Sequence, residues 1–94
     1  MVIERVEILT KPGQQAEFER AMVRGRELLS AAAGCNEVAL ARGVENPDKY
    51  LLTLRWDSVQ SHIDFTSTPG FSQFRELAGP FFAEKPAMEH FAPV

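Results

Sequence analysis

Two side chains carry the chemistry that this sequence could perform. His62 follows Trp56 by six residues and lies on the apolar stripe of the helix that begins between them. An imidazole titrates near neutral pH, so His62 could take the proton of a phenolic or quinol hydroxyl, and the resulting phenolate reacts more readily with dioxygen. Trp56 ends an apolar strand, where its indole could wall a flat pocket and give its N–H to a substrate oxygen. Plainer readings stand beside both: a histidine satisfied by a backbone carbonyl, and a large aromatic closing the end of a sheet. His90 lies in the last strand with Met88 and Ala92 on its face. It could reach the same pocket or a seam between two copies.

Asn36 and Arg42 share a face of the second strand and could orient a substrate oxygen or stabilise an anion. They could equally pair with Glu4 or Glu7 across a sheet, the commoner use of strand charges. Phe65, Phe71, Phe74, Phe81 and Phe82 make the second half strongly aromatic. Their first role is core, and a pocket lined by some of them, Phe65 among them, suits a flat aromatic ligand. Cys35 has no basic neighbour in sequence to activate it and reads as a packing thiol.

Composition bounds the function classes. Ninety-four residues suit one domain spanning 1–94. A 45% hydrophobic and 24% charged composition is that of a globular chain, and a net charge of −3 gives no footprint for nucleic acid. A single cysteine excludes an internal disulfide, and two histidines make a metal site a poor expectation. No apolar run approaches the about 20 residues that cross a bilayer. Met1-Val2-Ile3-Glu4-Arg5 puts charge where a signal peptide needs apolar residues, so a cytoplasmic protein with no membrane partner is expected.

The elements that must position these groups follow from periodicity. Val2 to Leu9, Cys35 to Arg42 and Lys49 to Trp56 read as strands, the last with Tyr50, Leu52, Leu54 and Trp56 on one face. From Gln14 to Ala33, Phe18, Ala21, Met22, Gly25, Leu28, Leu29 and Ala32 line one helical stripe, with Gly34 placed for a left-handed cap. Asp57-Ser58 caps a second helix that turns Val59, His62, Ile63 and Thr66 inward. Thr68-Pro69-Gly70 interrupts it before a helix carrying Phe71, Phe74 and Leu77, and Ala87 to Ala92 forms a closing strand. The order is the βαββαβ ferredoxin-like α+β unit with an antiparallel sheet. Its helices cover one face only, and the chain has no spare element for the other. A homodimer packed sheet to sheet is the simplest cover.

The residues then show a resemblance. Lys11-Pro12-Gly13 precedes Glu17-Phe18; Asn46-Pro47-Asp48-Lys49-Tyr50 leads into the third strand. Trp56-Asp57-Ser58 is followed by His62, Phe65, Ser67 and Pro69, and the chain closes with Leu77-Ala78-Gly79-Pro80-Phe81-Phe82 and Met88-Glu89-His90-Phe91. In this order and spacing the chain resembles the antibiotic biosynthesis monooxygenase (ABM) domain. That resemblance implies a dimeric α+β barrel with a pocket between sheet and helices. Some family members oxidise polyphenolic or quinol substrates with dioxygen and without metal or flavin, others degrade haem, and others are isomerases. The Asn, Trp and His of the haem-degrading members fall on Val6, Phe65 and Arg75, which argues against haem. Of the Asn, Trp and Tyr of the polyketide-oxidising members, Trp56 matches, His62 replaces the Tyr and Leu52 replaces the Asn.

The expectation is therefore a cofactor-independent monooxygenase of a small aromatic or quinol compound, with dioxygen as co-substrate. His62 and Trp56 are its catalytic residues, and Asn36, Arg42, Phe65 and His90 bind substrate. A non-catalytic ligand-binding or stress-associated dimer, and an isomerase using the same base, are the rival readings.

Overall fold

The computed structural model describes all 94 residues. Four antiparallel strands, β1 (Val2–Leu9), β2 (Cys35–Arg42), β3 (Lys49–Trp56) and β4 (Ala87–Phe91), form one sheet in the order β2-β3-β1-β4. Helix α1 (Gln15–Ser30) connects β1 to β2. Helices α2 (Val59–Phe65) and α3 (Pro69–Ala78), followed by a 3₁₀ turn at Gly79–Phe81, connect β3 to β4. This is the ferredoxin-like arrangement, with the second helical region split in two.

Period-two patterning sets which side chains meet. β1 and β3 pair with Glu4 opposite Leu54 and Val6 opposite Leu52, so Val2, Glu4, Val6 and Ile8 share a face with the apolar side chains of β3. β4 adds His90 and Met88 to that face, opposite Glu4 and Val6. The helices lie on this face. Phe18, Met22 and Leu29 of α1, Phe65 of α2, and Phe74 and Ala78 of α3 join Ile8, Tyr50, Leu52, Leu54 and Trp56 in one core. Trp56, Phe18 and Ala78 are wholly buried.

The opposite face carries no helix. Ile3, Arg5, Glu7, Leu51, Thr53, Arg55 and Phe91 lie there in register, and the charges pair within the sheet, Arg5 to Glu7 at 2.7 Å and Arg55 to Glu37 at 2.8 Å. No helix is long and apolar enough to cross a membrane.

Local chemistry explains the element ends. Ser58 caps α2, its hydroxyl accepting the Ser61 N–H at 3.1 Å, and Thr68 caps α3 just ahead of Pro69 in the first turn. The first helix ends at Ser30, three residues before the expected end. Gly34 does take the left-handed conformation (φ +83°), but in the turn into β2 rather than as the cap of the helix. The inward face of α2 also differs from expectation: Val59, Ile63 and Thr66 are exposed, while His62 and Phe65 are buried. A helix of seven residues held close at its N-terminal end turns only one narrow stripe to the sheet.

Candidate functional site

Between the sheet and α2–α3 lies a cavity of about 740 Å³. Leu52 and Leu54 of β3, Phe65 of α2, Phe71 and Phe74 of α3, and Phe82 supply apolar walls. Its size falls in the range of small-molecule sites, about 300–1,000 Å³. Glu4, Trp56 and His62 meet in the lining, and Arg75 and Lys85 bring cations to it.

The polar cluster is built by three elements. β1 and β3 bring Glu4 and Trp56 to one face of the sheet, and the Trp56 indole N–H donates to Glu4 Oε1 at 2.9 Å. The other carboxylate oxygen, Oε2, lies 3.4 Å from His62 Nε2. α2 lays the imidazole on the indole, with centroids 5.2 Å apart and planes 24° from parallel. Behind His62, its Nδ1 is 2.7 Å from Nε2 of His90 on β4. Glu4 and His62 are 6% and 8% exposed, so both are held almost out of water. A buried carboxylate is tolerated only when donors meet it, and here the indole N–H does so, with the imidazole within ion-pair distance.

These partners assign the protons. Neutral His62 has one N–H, which the negative Glu4 draws to Nε2. Nδ1 is then an acceptor, and the short contact to His90 is met by the His90 Nε2–H. Burial pushes His62 below the ordinary histidine value; Glu4 opposes that effect and His90 adds to it. A neutral imidazole with both nitrogens engaged is the state at neutral pH.

The position of α2 depends on the start of β2. The Asp57 N–H donates to the Gly34 carbonyl at 2.8 Å, and the Asn36 amide donates to the Asp57 carboxylate at 2.9 Å. Ser61 packs against Gly34 so closely that a Cβ there would lie 2.7 Å from its hydroxyl oxygen. The glycine thus lets the helix approach the sheet far enough to press His62 onto Trp56.

The structure brings Trp56, His62 and Phe65 together in the cavity and places His90 directly behind His62, outside the cavity lining. It does not bring Asn36 or Arg42 there. Asn36 sits at a register shift of β2, bonded to Asp57. Arg42 donates to the Pro47 carbonyl at 2.8 Å and lies 3.5 Å from Glu19. Neither meets Glu4 or Glu7, because β3 intervenes between β2 and β1. The indole N–H of Trp56, expected to face a substrate oxygen, is given to Glu4. His62 is hydrogen-bonded to the His90 ring and lies within ion-pair distance of Glu4, and it is not held by a backbone carbonyl.

Glu4 is the site residue that sequence reasoning passed over. The sequence offers it only as a cross-sheet charge partner for Asn36 or Arg42. Its parity with Val2, Val6 and Ile8, which places it on the apolar face, was the available signal. Cys35 behaves as a packing thiol: burial raises its pKa, a backbone hydrogen bond with Glu37 opposes that, and the Glu4 charge raises it further.

A four-stranded antiparallel sheet under helices, enclosing an apolar cavity with a buried carboxylate–imidazole–indole cluster, defines a small ferredoxin-like α+β protein of the kind the sequence resembles. Residues 1–77 match the family model of the antibiotic biosynthesis monooxygenases, and the chain belongs to that family. A Bordetella bronchiseptica structure described under the same family name is 38% identical. It superposes with a TM-score of 0.95, over 99% of this chain and 96% of that one. A Caulobacter crescentus structure, 20% identical with a TM-score of 0.86 over 99% of this chain and 89% of that one, shares the fold. The uncharacterized protein YczJ of Bacillus subtilis is 28% identical over the full length of both chains.

Proposed function

We propose that this ABM protein is a cofactor-independent monooxygenase of a small aromatic, quinol-type compound bound in the cavity between sheet and helices. The observation that carries the reading is the buried Glu4 carboxylate, held by the Trp56 N–H and flanked by His62, in an otherwise aromatic cavity. The phenyl walls accept a flat ring, and the buried Glu4 carboxylate in the lining meets its hydroxyl.

The chemistry follows from those contacts. With both nitrogens of His62 engaged, the lone pairs free to take a phenolic proton are those of Glu4. The expected base is thus better described as the Glu4–His62 pair. Loss of the proton leaves an electron-rich phenolate, which dioxygen oxidises. In net terms, a phenol and dioxygen give a quinone and water: one ring C–H and one O–H are lost, one oxygen atom enters the ring, and the other leaves as water. Expulsion of that water needs a proton, and the His62 Nε2–H is placed to deliver it. Arg75 and Lys85 replace Asn36 and Arg42 as the groups in reach of a substrate anion. The open sheet face is proposed to pack against the same face of a second copy.

The test is turnover of a panel of hydroquinones and polyphenols, with and without oxygen, by the wild type, Glu4→Gln and His62→Gln. Oxygen-dependent loss of a substrate, reduced about 10²–10⁴-fold in Glu4→Gln with the fold retained, supports the reading. Turnover without oxygen would replace it with an isomerase on the same base. No turnover by the wild type across the panel would leave a binding protein.

A further inference from the structure

We propose that His90 and His62 share one proton and form a proton reservoir behind the cavity, with His90 as its outer, solvent-reached member. The inference deepens the site reading above and rests on it for its use in turnover. The proton sharing itself is tested without any substrate.

Three observations carry it. His62 Nδ1 and His90 Nε2 are 2.7 Å apart, a distance at which one nitrogen must hold the proton and the other must not. His90 is half-buried on the edge strand β4 and lies outside the cavity lining, whereas His62 is buried and lines it. Glu4 stands beside both, 3.4 Å from His62 and directly opposite His90 across the β1–β4 pairing. The sequence of contacts therefore runs from cavity carboxylate to inner ring to outer ring, with every ring nitrogen but one committed. The uncommitted atom is Nδ1 of His90.

The proton count closes over a turnover. Glu4 takes the substrate proton. His62 gives its Nε2–H to the departing oxygen, the Nε2–H of His90 moves to His62 Nδ1, and His90 takes a proton from water at its free Nδ1, so both rings stay neutral. The protonated Glu4 then returns its proton to His62 Nε2, the Nδ1 proton of His62 passes back to His90 Nε2, and His90 releases its Nδ1 proton to water. One water-borne proton is borrowed and returned, each N–H or O–H bond broken is matched by one formed, and the three groups end as they began. Without His90, His62 would have to release a proton into the cavity with nothing to refill Nδ1. The other charged groups around this unit are Arg75 and Glu76 of α3 and Lys85 in the same cavity, and the neutral thiol of Cys35 on β2 lies near Glu4.

The chain contains only these two histidines, so the four ring nitrogens are resolved by nitrogen-15 NMR across a pH titration. In the wild type, His62 Nε2 is expected to carry the proton, and the two rings are expected to titrate as a coupled pair. His90→Gln should then move the His62 midpoint by about one pH unit. Glutamine at 90 keeps an N–H to offer to His62 and cannot exchange a proton, so the inner ring stays placed. A single-site His62 curve indifferent to replacement of His90 would overturn the proposal. With a substrate from the panel, His90→Gln should lower kcat and leave KM, and added imidazole should restore part of the loss. Unchanged kcat in His90→Gln would refute the reservoir even if the rings are coupled. A panel with no turnover defeats the oxygenase reading alone, since the titration still decides the pair.

Discussion

His62 is neutral because it is buried, and that has a consequence for stability. In the unfolded chain it titrates near 6.5, while in the fold its value is lowered. Between the lowered value and 6.5 the unfolded chain binds more protons at this site than the native one, so stability falls as pH drops through that window and is fully present above it. Urea midpoints measured from pH 7.5 downward should decrease, and His62→Gln should flatten this component. A midpoint that rises on acidification in the wild type would contradict a buried neutral ring. Tyr50, the one tyrosine, gives an opposite and separately readable case. Its hydroxyl donates to Glu19, and burial, with the Glu19 carboxylate adding to it, pushes its pKa up from 10.0 to about 12. Here the native state holds the proton longer, so the contribution persists below pH 10 and is lost between 10 and about 12. Phenolate absorbance should show a single transition near the upper value, and Glu19→Gln should lower it. At this scale, Trp56 and His62 were legible in sequence from their spacing and stripe. The partners were not, because a side chain's partner depends on which strands are adjacent, and a β-strand order of β2-β3-β1-β4 puts Glu4 beside His90 and keeps Asn36 and Arg42 away.

Elements explain why those side chains meet. All three long strands and the first helix are visible in the sequence, because alternation and a 3.6-residue stripe are properties of local chain geometry. The facing of α2 was not: Val59, His62, Ile63, Phe65 and Thr66 compete for its inner stripe, and only docking decides that His62 and Phe65 win. Docking in turn depends on Gly34. Its φ of +83° is left-handed, and its missing Cβ is the space that Ser61 occupies. Gly34→Ala should meet both a conformational cost of roughly 1–2 kcal/mol and a steric one against the first turn of α2. A drop in stability of about 2 kcal/mol or more by urea unfolding is expected, with a retained sheet signature and a shifted Trp56 emission as α2 moves off the indole. Wild-type stability in this variant would mean that the approach of α2 to β2 does not depend on the glycine.

On the scale of the whole molecule, the sheet is asymmetric. One face is closed by three helices and holds the cavity. The other presents Ile3, Leu51 and Phe91, the last 43% exposed, between ion pairs already formed within the sheet. Internal pairing leaves those charges little reason to seek water, and apolar side chains on a flat sheet gain by meeting another such face. A symmetric pairing of two identical faces needs no element beyond those present. Sedimentation should accordingly give twice the 10.5 kDa chain mass, with a thermal midpoint that rises with protein concentration. Leu51→Lys combined with Phe91→Asp touches none of the eleven core residues, so the double variant should keep its far-UV signature while sedimenting as a single chain. A wild type that sediments at 10.5 kDa, with a midpoint independent of concentration, would show that this face meets solvent and that each cavity works alone. If the wild type pairs and the variant does not, turnover compared between them reports whether the second copy steadies the strands that carry Glu4 and His90.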